Sequence, residues 1–284
     1  MTFWTFQVLN GVSFGMLLFL LAAGLSLIFG LMRILNLAHG SFYILGAYIG
    51  LSVGRVTGSL VVGAVAAIAL VTLLGVLMER FVLRRVPAEE LPQALLTFGV
   101  LLVVGDLSLW IWGGTPQTLP KPELLTGSMR AGDIVFPTYR LFVIAVGVVV
   151  GLALWAFQEA TKAGAMIRAA IDDAEIARAT GVNVSWLSTA VFGLGAALAA
   201  LGGIIGGPFV GVYPGADFEI LLLAFVVVIV GGLGSLKGAL VGGLLVGLLD
   251  TFGKALFPGL AMFTIFAPMA LILAIRPTGL FGAR

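Results

Sequence analysis

GVSFGMLLFLLAAGLSLIFGL, residues 11–31, contains no Asp, Glu, Lys, Arg or Pro, and the charge-free run around it ends only at Arg33. A membrane helix needs ~20 predominantly apolar residues, and a charge at its centre costs about 2.5–3.5 kcal/mol on insertion scales. Residues 11–31 therefore predict a complete span. A cleaved secretory leader opens with a basic segment, whereas the first 32 residues here carry no charge. The stretch reads as a retained first span.

Working outward, further runs poor in charge cover 40–54, 60–78, 93–112 (interrupted by Asp106), 141–158, 186–207, 219–233, 239–256 and 260–275. The expectation is an all-α polytopic membrane protein with eight to ten transmembrane helices, residues 1–284 forming one membrane domain. Composition agrees. Of 284 residues, 61% are hydrophobic and 10% charged, where soluble domains carry roughly 25% charged residues. The polar surface needed to cover a water-soluble globule is missing, and no stretch is long or polar enough for a soluble enzyme domain. With no cysteine and one histidine, His39, disulfides, thiolate metal sites and a thiol nucleophile are excluded, and little remains for a zinc or haem centre. The net charge of +2 comes from scattered Lys and Arg, which points to membrane lipid and away from nucleic acid.

Nine crossings with the N-terminus outside place Arg33, Arg80, Arg84, Arg85, Lys162, Arg168, Arg178, Lys237, Arg276 and Arg284 inside. Arg55, Lys121, Arg130, Arg140 and Lys254 then lie outside. Cations concentrate on the cytoplasmic side of membrane proteins, so N-out and C-in is expected. Two segments between spans are substantial. Residues 113–140, rich in Pro, Gly and Thr, read as an external loop. Residues 162–181 read as one cytoplasmic amphipathic helix with Ile167, Ile171 and Ala174 on one face and a glycine stop at Gly181. Its polar side offers Arg168 with Asp172 and Glu175 with Arg178, at pairing distance along a helix.

The 40 glycines are about twice the usual share of ~7%. Gly46, Gly50, Gly54 and Gly58 fall four apart, as do Gly203, Gly207, Gly211 and Gly215, then Gly234, Gly238 and Gly242, and Gly243 with Gly247. Small residues at that spacing let helix backbones meet closely in lipid or permit broken helices beside a polar cavity.

Asn36, His39 and Ser41 interrupt the apolar pattern between the first two spans, where unsatisfied polar groups are expensive. Two readings stand: a broken helix lining part of a translocation route, or a capped cytoplasmic turn with a structurally bonded histidine. Asp106 likewise is either an intramembrane functional carboxylate or an outer-end group beside the interfacial Trp110 and Trp112. Asp250 and Lys254, four apart, read as an ion pair on one helix face. Residues 231–238 (GGLGSLKG) are glycine-rich, but Lys237 has no preceding Gly and no following Ser or Thr, so the phosphate-loop pattern fails. An exposed amphipathic helix between spans suits either docking on a soluble partner or resting on the bilayer.

Several separated stretches, in consistent order, resemble the LivH-like permease subunits of the branched-chain amino acid (Liv-type) ABC importers. They are Gly24 to Gly30 (GLSLIFG) running into Ile34 to Ser41 (ILNLAHGS), Gly46-Ala47-Tyr48, and Leu95 to Gly99 (LLTFG). Further along come Gly164 to Arg168 with Glu175 and Gly181-Val182-Asn183, then Gly231 to Ser235 with Gly238. Arg276 to Gly282 (RPTGLFG) closes the series. The resemblance implies a type II-like importer permease without an ATPase site of its own. Its implied partners are a homologous LivM-like permease, two LivG/LivF-like ATP-binding cassettes that hydrolyse ATP with Mg, and an external solute-binding protein. The loop at about 162–183 becomes the coupling element, with Arg168, Asp172, Asp173, Glu175, Arg178 and Gly181 facing the ATPase. Many LivH-like chains carry Glu after Ala-His-Gly where this one has Ser41, so urea, short amides and aromatic acids stand beside branched-chain amino acids as substrates. An ion-coupled secondary carrier is the competing class, though Asp106 and Asp250 read as peripheral to the midplane carboxylates it needs.

Overall fold

The computed structural model describes residues 2–87, 89–131 and 134–282. Arg284, counted above among the inner cations, and residues 132–133 of the external loop lie outside that set. Each of the nine expected spans is a helix: α1 (Thr2–Met32), α2 (His39–Thr57), α3 (Leu60–Phe81), α4 (Glu90–Trp112), α5 (Thr138–Ala160), α8 (Val184–Val210), α9 (Ala216–Gly231), α10 (Leu236–Leu256) and α11 (Ala261–Ile275). Between α5 and α8 lie two short helices, α6 (Lys162–Asp172) and α7 (Ala174–Ala179). Seven of the described helices are long and apolar enough to cross a membrane; α2 and α9 are not among them. At ~1.5 Å per residue, the 16 residues of α9 rise only about 24 Å, less than the ~30 Å hydrocarbon core.

α1 is the axis. In its most apolar window 89% of residues are buried, and α10, α8, α5 and α9 pack around it. Glycine sets these distances. A Cβ at Gly15 would fall 2.6 Å from the Gly243 carbonyl oxygen, and one at Gly247 would fall 2.4 Å from that of Gly11. Two small-residue pairs, each four apart, thus face one another across α1 and α10. Gly46 of α2 meets Ala200 of α8, and Gly203 of α8 meets the Tyr43 carbonyl in the same way. The four-apart glycine series is not all packing, however. Gly211 and Gly215 lie in the α8–α9 turn at φ +87° and +97°, where side chains with a Cβ are strained.

The connections fall at two ends. At one end sit the first turns of α1, the α8–α9 and α10–α11 turns, and the segment before α5. That segment is shorter than the expected 113–140 loop, because α5 begins at Thr138, and it contains an antiparallel hairpin of β1 (Ser128–Ala131) and β2 (Ile134–Pro137). Gln117 bridges to Val212 in both directions (2.7 and 2.8 Å) and ties this segment to the α8–α9 turn. At the other end lie the α1–α2 junction, α6 and α7, the α9–α10 turn and residues 276–282. The N–H groups of Leu280 and Phe281 donate to the Val230 and Gly231 carbonyls, each at 2.9 Å. The failed phosphate loop at 231–238 is a packing turn: Gly234 closes on Gly30, and Gly232 on Gly282.

Candidate functional site

Residues 33–38 are non-helical yet lie largely inside the protein. Backbone there must find partners other than water, and α4 supplies them. The Leu37 N–H donates to Thr97 Oγ1 (3.1 Å), whose hydroxyl proton is shared between the carbonyls of Ala94 (3.0 Å) and Leu35 (3.3 Å). His39 opens α2, and its Nε2–H donates to the Leu21 carbonyl of α1 at 3.0 Å. Gly24 leaves room for that ring, because a Cβ there would sit 3.0 Å from His39 Cε1. Asn36, His39 and Ser41 are all fully buried, so the structure brings the three together at one helix break. The Asn36 side chain and the Ser41 hydroxyl find no hydrogen-bond partner among the described residues. Thr97 was legible only as part of the LLTFG stretch, since one threonine in an apolar run carries no pattern of its own.

The element expected as one helix over about 162–183 is two helices. Asp173 breaks it: its backbone is extended (φ −154°, ψ 104°), and its Oδ1 accepts from Glu175 N (2.9 Å) and Ile176 N (3.0 Å). An aspartate N-cap satisfies the donors that a new helix leaves open, so the second residue of Asp172-Asp173 starts α7. The expected ion pairs do not form. Arg168 instead approaches Glu159 at 3.9 Å, and neither Asp172 nor Glu175 enters an ion pair among the described residues. The expected apolar face is buried at Ile167 but only half-buried at Ile171 and Ala174, and Arg168 is half-exposed. Ile167, Ala170 and Ala177 are buried against the bundle, while Asp172, Asp173, Glu175, Arg178 and Gly181 face outward. Gly181, at φ +91°, stops α7, and the Val182 N–H caps the Ala177 carbonyl at 3.0 Å. Ile176, 63% exposed at the centre of that face, has no covering neighbour to explain it and was not singled out by the sequence pattern.

Near this element, a buried carboxylate ties α3 and the turn after it to the first turns of α8. Glu79, at the end of α3, is 1% exposed. It accepts from Arg84 Nε at 2.9 Å and from the Thr189 hydroxyl of α8 at 2.8 Å. Arg84 also donates to the Ser185 carbonyl at 2.6 Å.

At the hairpin end, a cavity of about 590 Å³ descends between α1, α5, α8, α9 and α10. Arg140, Asn10, Lys254, Asp250, Glu219 and Tyr213 bring polar groups to it, and Tyr43 of α2 lies among its walls. From Gln7 to Phe14 along α1, at ~1.5 Å per residue, it reaches about 10 Å inward. Arg140 donates to Asn10 Oδ1 and lies over the Phe209 ring, 4.6 Å from its centroid. The expected Asp250–Lys254 pair forms at 2.8 Å. The Tyr213 hydroxyl donates to Glu219 at 2.6 Å, and that carboxylate pushes the phenol pKa up to about 12. Sequence reading placed Arg140 among outer flanking cations and passed over Asn10, although Asn10 is a polar residue in a long charge-free helix. Asp106 stands apart, exposed on α4 beside a groove of about 410 Å³ that it shares with Pro214 and the buried Asp217. Trp110 projects outward at 82% exposure, but Trp112 turns inward, stacked on Tyr48 at 4.7 Å and donating to Ser52 at 2.7 Å.

A multi-pass helical membrane protein with a polar vestibule at one end and a projecting helical element at the other has the parts of a transport subunit. The chain belongs to the family described as branched-chain amino acid transport system / permease component, whose model matches residues 7–275. It is 29% identical to the high-affinity branched-chain amino acid transport system permease protein LivH of Escherichia coli K12, over 97% of this chain and 94% of that protein. The corresponding Pseudomonas aeruginosa permease protein BraD is 28% identical over 97% and 95%. A probable branched-chain amino acid transport permease protein LivH of Methanocaldococcus jannaschii is 27% identical over 86% and 80%. Among solved structures, PsaBC from Streptococcus pneumoniae in complex with Fab aligns at a TM-score of 0.49 and 14% identity, over 94% of this chain and 89% of that one.

Proposed function

We propose that this chain is the permease subunit of an ABC importer for branched-chain amino acids or a related small polar solute. It has a type II-like architecture and sits in a bacterial or archaeal cytoplasmic membrane, N-terminus outside and C-terminus inside. A LivM-like permease completes the pathway, a solute-binding protein delivers substrate at the hairpin end, and two LivG/LivF-like cassettes dock at α6 and α7. The cassettes hydrolyse ATP with Mg; this chain binds no cofactor. The observation that carries the reading is the exposed face of α7, where Ile176, Glu175 and Arg178 stand clear of the bundle on a pair of capped, rigid helices. Displacement of α7 passes directly to the adjoining α8, and from α8 to α3 through the Arg84–Glu79–Thr189 contact. From α8 it passes to α2 and the Asn36–Ser41 junction, which moves as the pathway alternates between its two openings. Free energy thus enters through protein contacts.

Gentle purification of the tagged chain from its native membrane, with mass spectrometry of what stays bound, tests this. ATP-binding cassettes and a second hydrophobic permease are expected, and Arg168→Glu combined with Glu175→Arg, or Ile176→Asp, should abolish uptake without lowering membrane abundance. A chain recovered free of partners that still transports without ATP after reconstitution would be a secondary carrier, and the proposal would fall.

A further inference from the structure

Resting on the permease reading above, we infer that the vestibule at the hairpin end is a binding site for a zwitterionic aliphatic amino acid, with the α-carboxylate at Arg140 and the α-ammonium at Asp250. The charges lining the vestibule cancel: Arg140 and Lys254 against Asp250 and Glu219. Such a cavity attracts no net charge, but it offers separated poles to a solute that carries both signs.

Each pole is held in place. Arg140 is fixed by Asn10 and by the face of Phe209. A guanidinium so oriented keeps further N–H groups for the two oxygens of a carboxylate. The Asp250 side chain is 8% exposed; Lys254 engages its Oδ2, and no hydrogen bond among the described residues uses Oδ1. Lys254, with 63% of its side chain exposed, can swing away when an ammonium arrives. Glu219, already holding the Tyr213 hydroxyl, adds a second negative group to the lining.

Tyr43, 1% exposed, also borders the vestibule, its hydroxyl packed toward Gly206 of α8 and without a hydrogen-bond partner among the described residues. Phe14, Phe209, Ile220 and Leu223 also line the vestibule, an apolar surface suited to a branched aliphatic side chain. A neutral amide would leave both poles unanswered, and a solute with one charge would leave the other pole desolvated and unpaired.

The chain has no cysteine, so Thr251→Cys on the vestibule wall gives it one thiol. Within the complete importer, its modification by a membrane-impermeant methanethiosulfonate is followed by mass spectrometry of this chain. Saturating L-leucine should slow modification by roughly threefold or more, as expected for a filled site. The acid 4-methylpentanoate, the amine 3-methylbutan-1-amine and leucinamide should not slow it. Adding Arg140→Gln should remove the leucine effect, and Arg140→Lys should restore part of it. Modification indifferent to leucine, or slowed equally by all four compounds, overturns the site. ATP-driven leucine uptake by the parent importer is measured in parallel. Uptake without protection removes this site and leaves the permease reading; protection without uptake keeps the site and removes that reading.

Discussion

α1 and α5 are both long, apolar and free of charge through their centres, yet 89% of the most apolar window of α1 is buried and only 17% of that of α5. Apolarity does not distinguish them, because lipid and protein interior reward the same side chains. Backbone approach does. At Gly11, Gly15 and Gly24 of α1 the backbone of α10 or α8 comes within a methyl group's reach, whereas Gly147 and Gly151 of α5 meet only the Met16 and Phe19 side chains of α1, and Gly99 on the exposed α4 has open space around its Cβ position. In this protein hydropathy selects the helices, and small residues select which helices form the centre.

The strongest way to break that comparison is a matched pair of glycine substitutions. Gly247→Leu should prevent close packing of α1 and α10 and abolish monodisperse protein, since the neighbours are backbone atoms at 2.4–2.5 Å and overpacking costs about 1–3 kcal/mol even where side chains can shift. Gly99→Leu should change stability by less than ~0.5 kcal/mol. Size-exclusion profiles and thermal unfolding in detergent read both, and equal damage would overturn the assignment of centre and rim.

Next comes Arg84→Ala, which strands the buried Glu79. Breaking a buried pair by removing one partner costs about 3–5 kcal/mol; with 36% of the Arg84 side chain exposed, about 2 kcal/mol is expected in the unfolding free energy. Glu79→Gln should cost less, because it leaves no unpaired anion. A smaller loss follows Thr97→Val, which orphans the Leu37 N–H at a cost of about 1–2 kcal/mol; Thr97→Ser should recover it in the same assay. A still smaller loss is expected for the vestibule pair. A double-mutant cycle on Asp250→Asn and Lys254→Met should return a coupling below ~1 kcal/mol in stability, because the lysine is largely exposed. A larger coupling would show that the vestibule wall contributes to the core it borders.

Helix positions were legible because charges are excluded from spans, so the runs between them carry the boundaries. Partial features were legible too: the Gly181 stop, the buried Ile167 face and the Asp250–Lys254 pair all follow from local spacing. The break at Asp173 was missed for a physical reason. Either aspartate of the pair can extend the helix or cap a new one, and the packing of Ala170 and Ala177 against the bundle decides. Arg140 and Tyr43 were missed because each is ordinary in its own helix, a cation at a span's start and a tyrosine in an apolar run. They line one cavity only once α2 and α5 are assembled around α1.

The central place of α1 also bears on biogenesis. Its closest partners, α8 and α10, lie more than 150 residues downstream, so a nascent chain threading into the bilayer holds α1 before either partner emerges. A helix built for a protein interior by polar complementarity would be stranded at that stage. From Phe14 to Met32 α1 carries one polar side chain, Ser26, and its specificity is written in missing side chains, so this stretch can wait in lipid as an acceptable guest and be enclosed later without changing its surface.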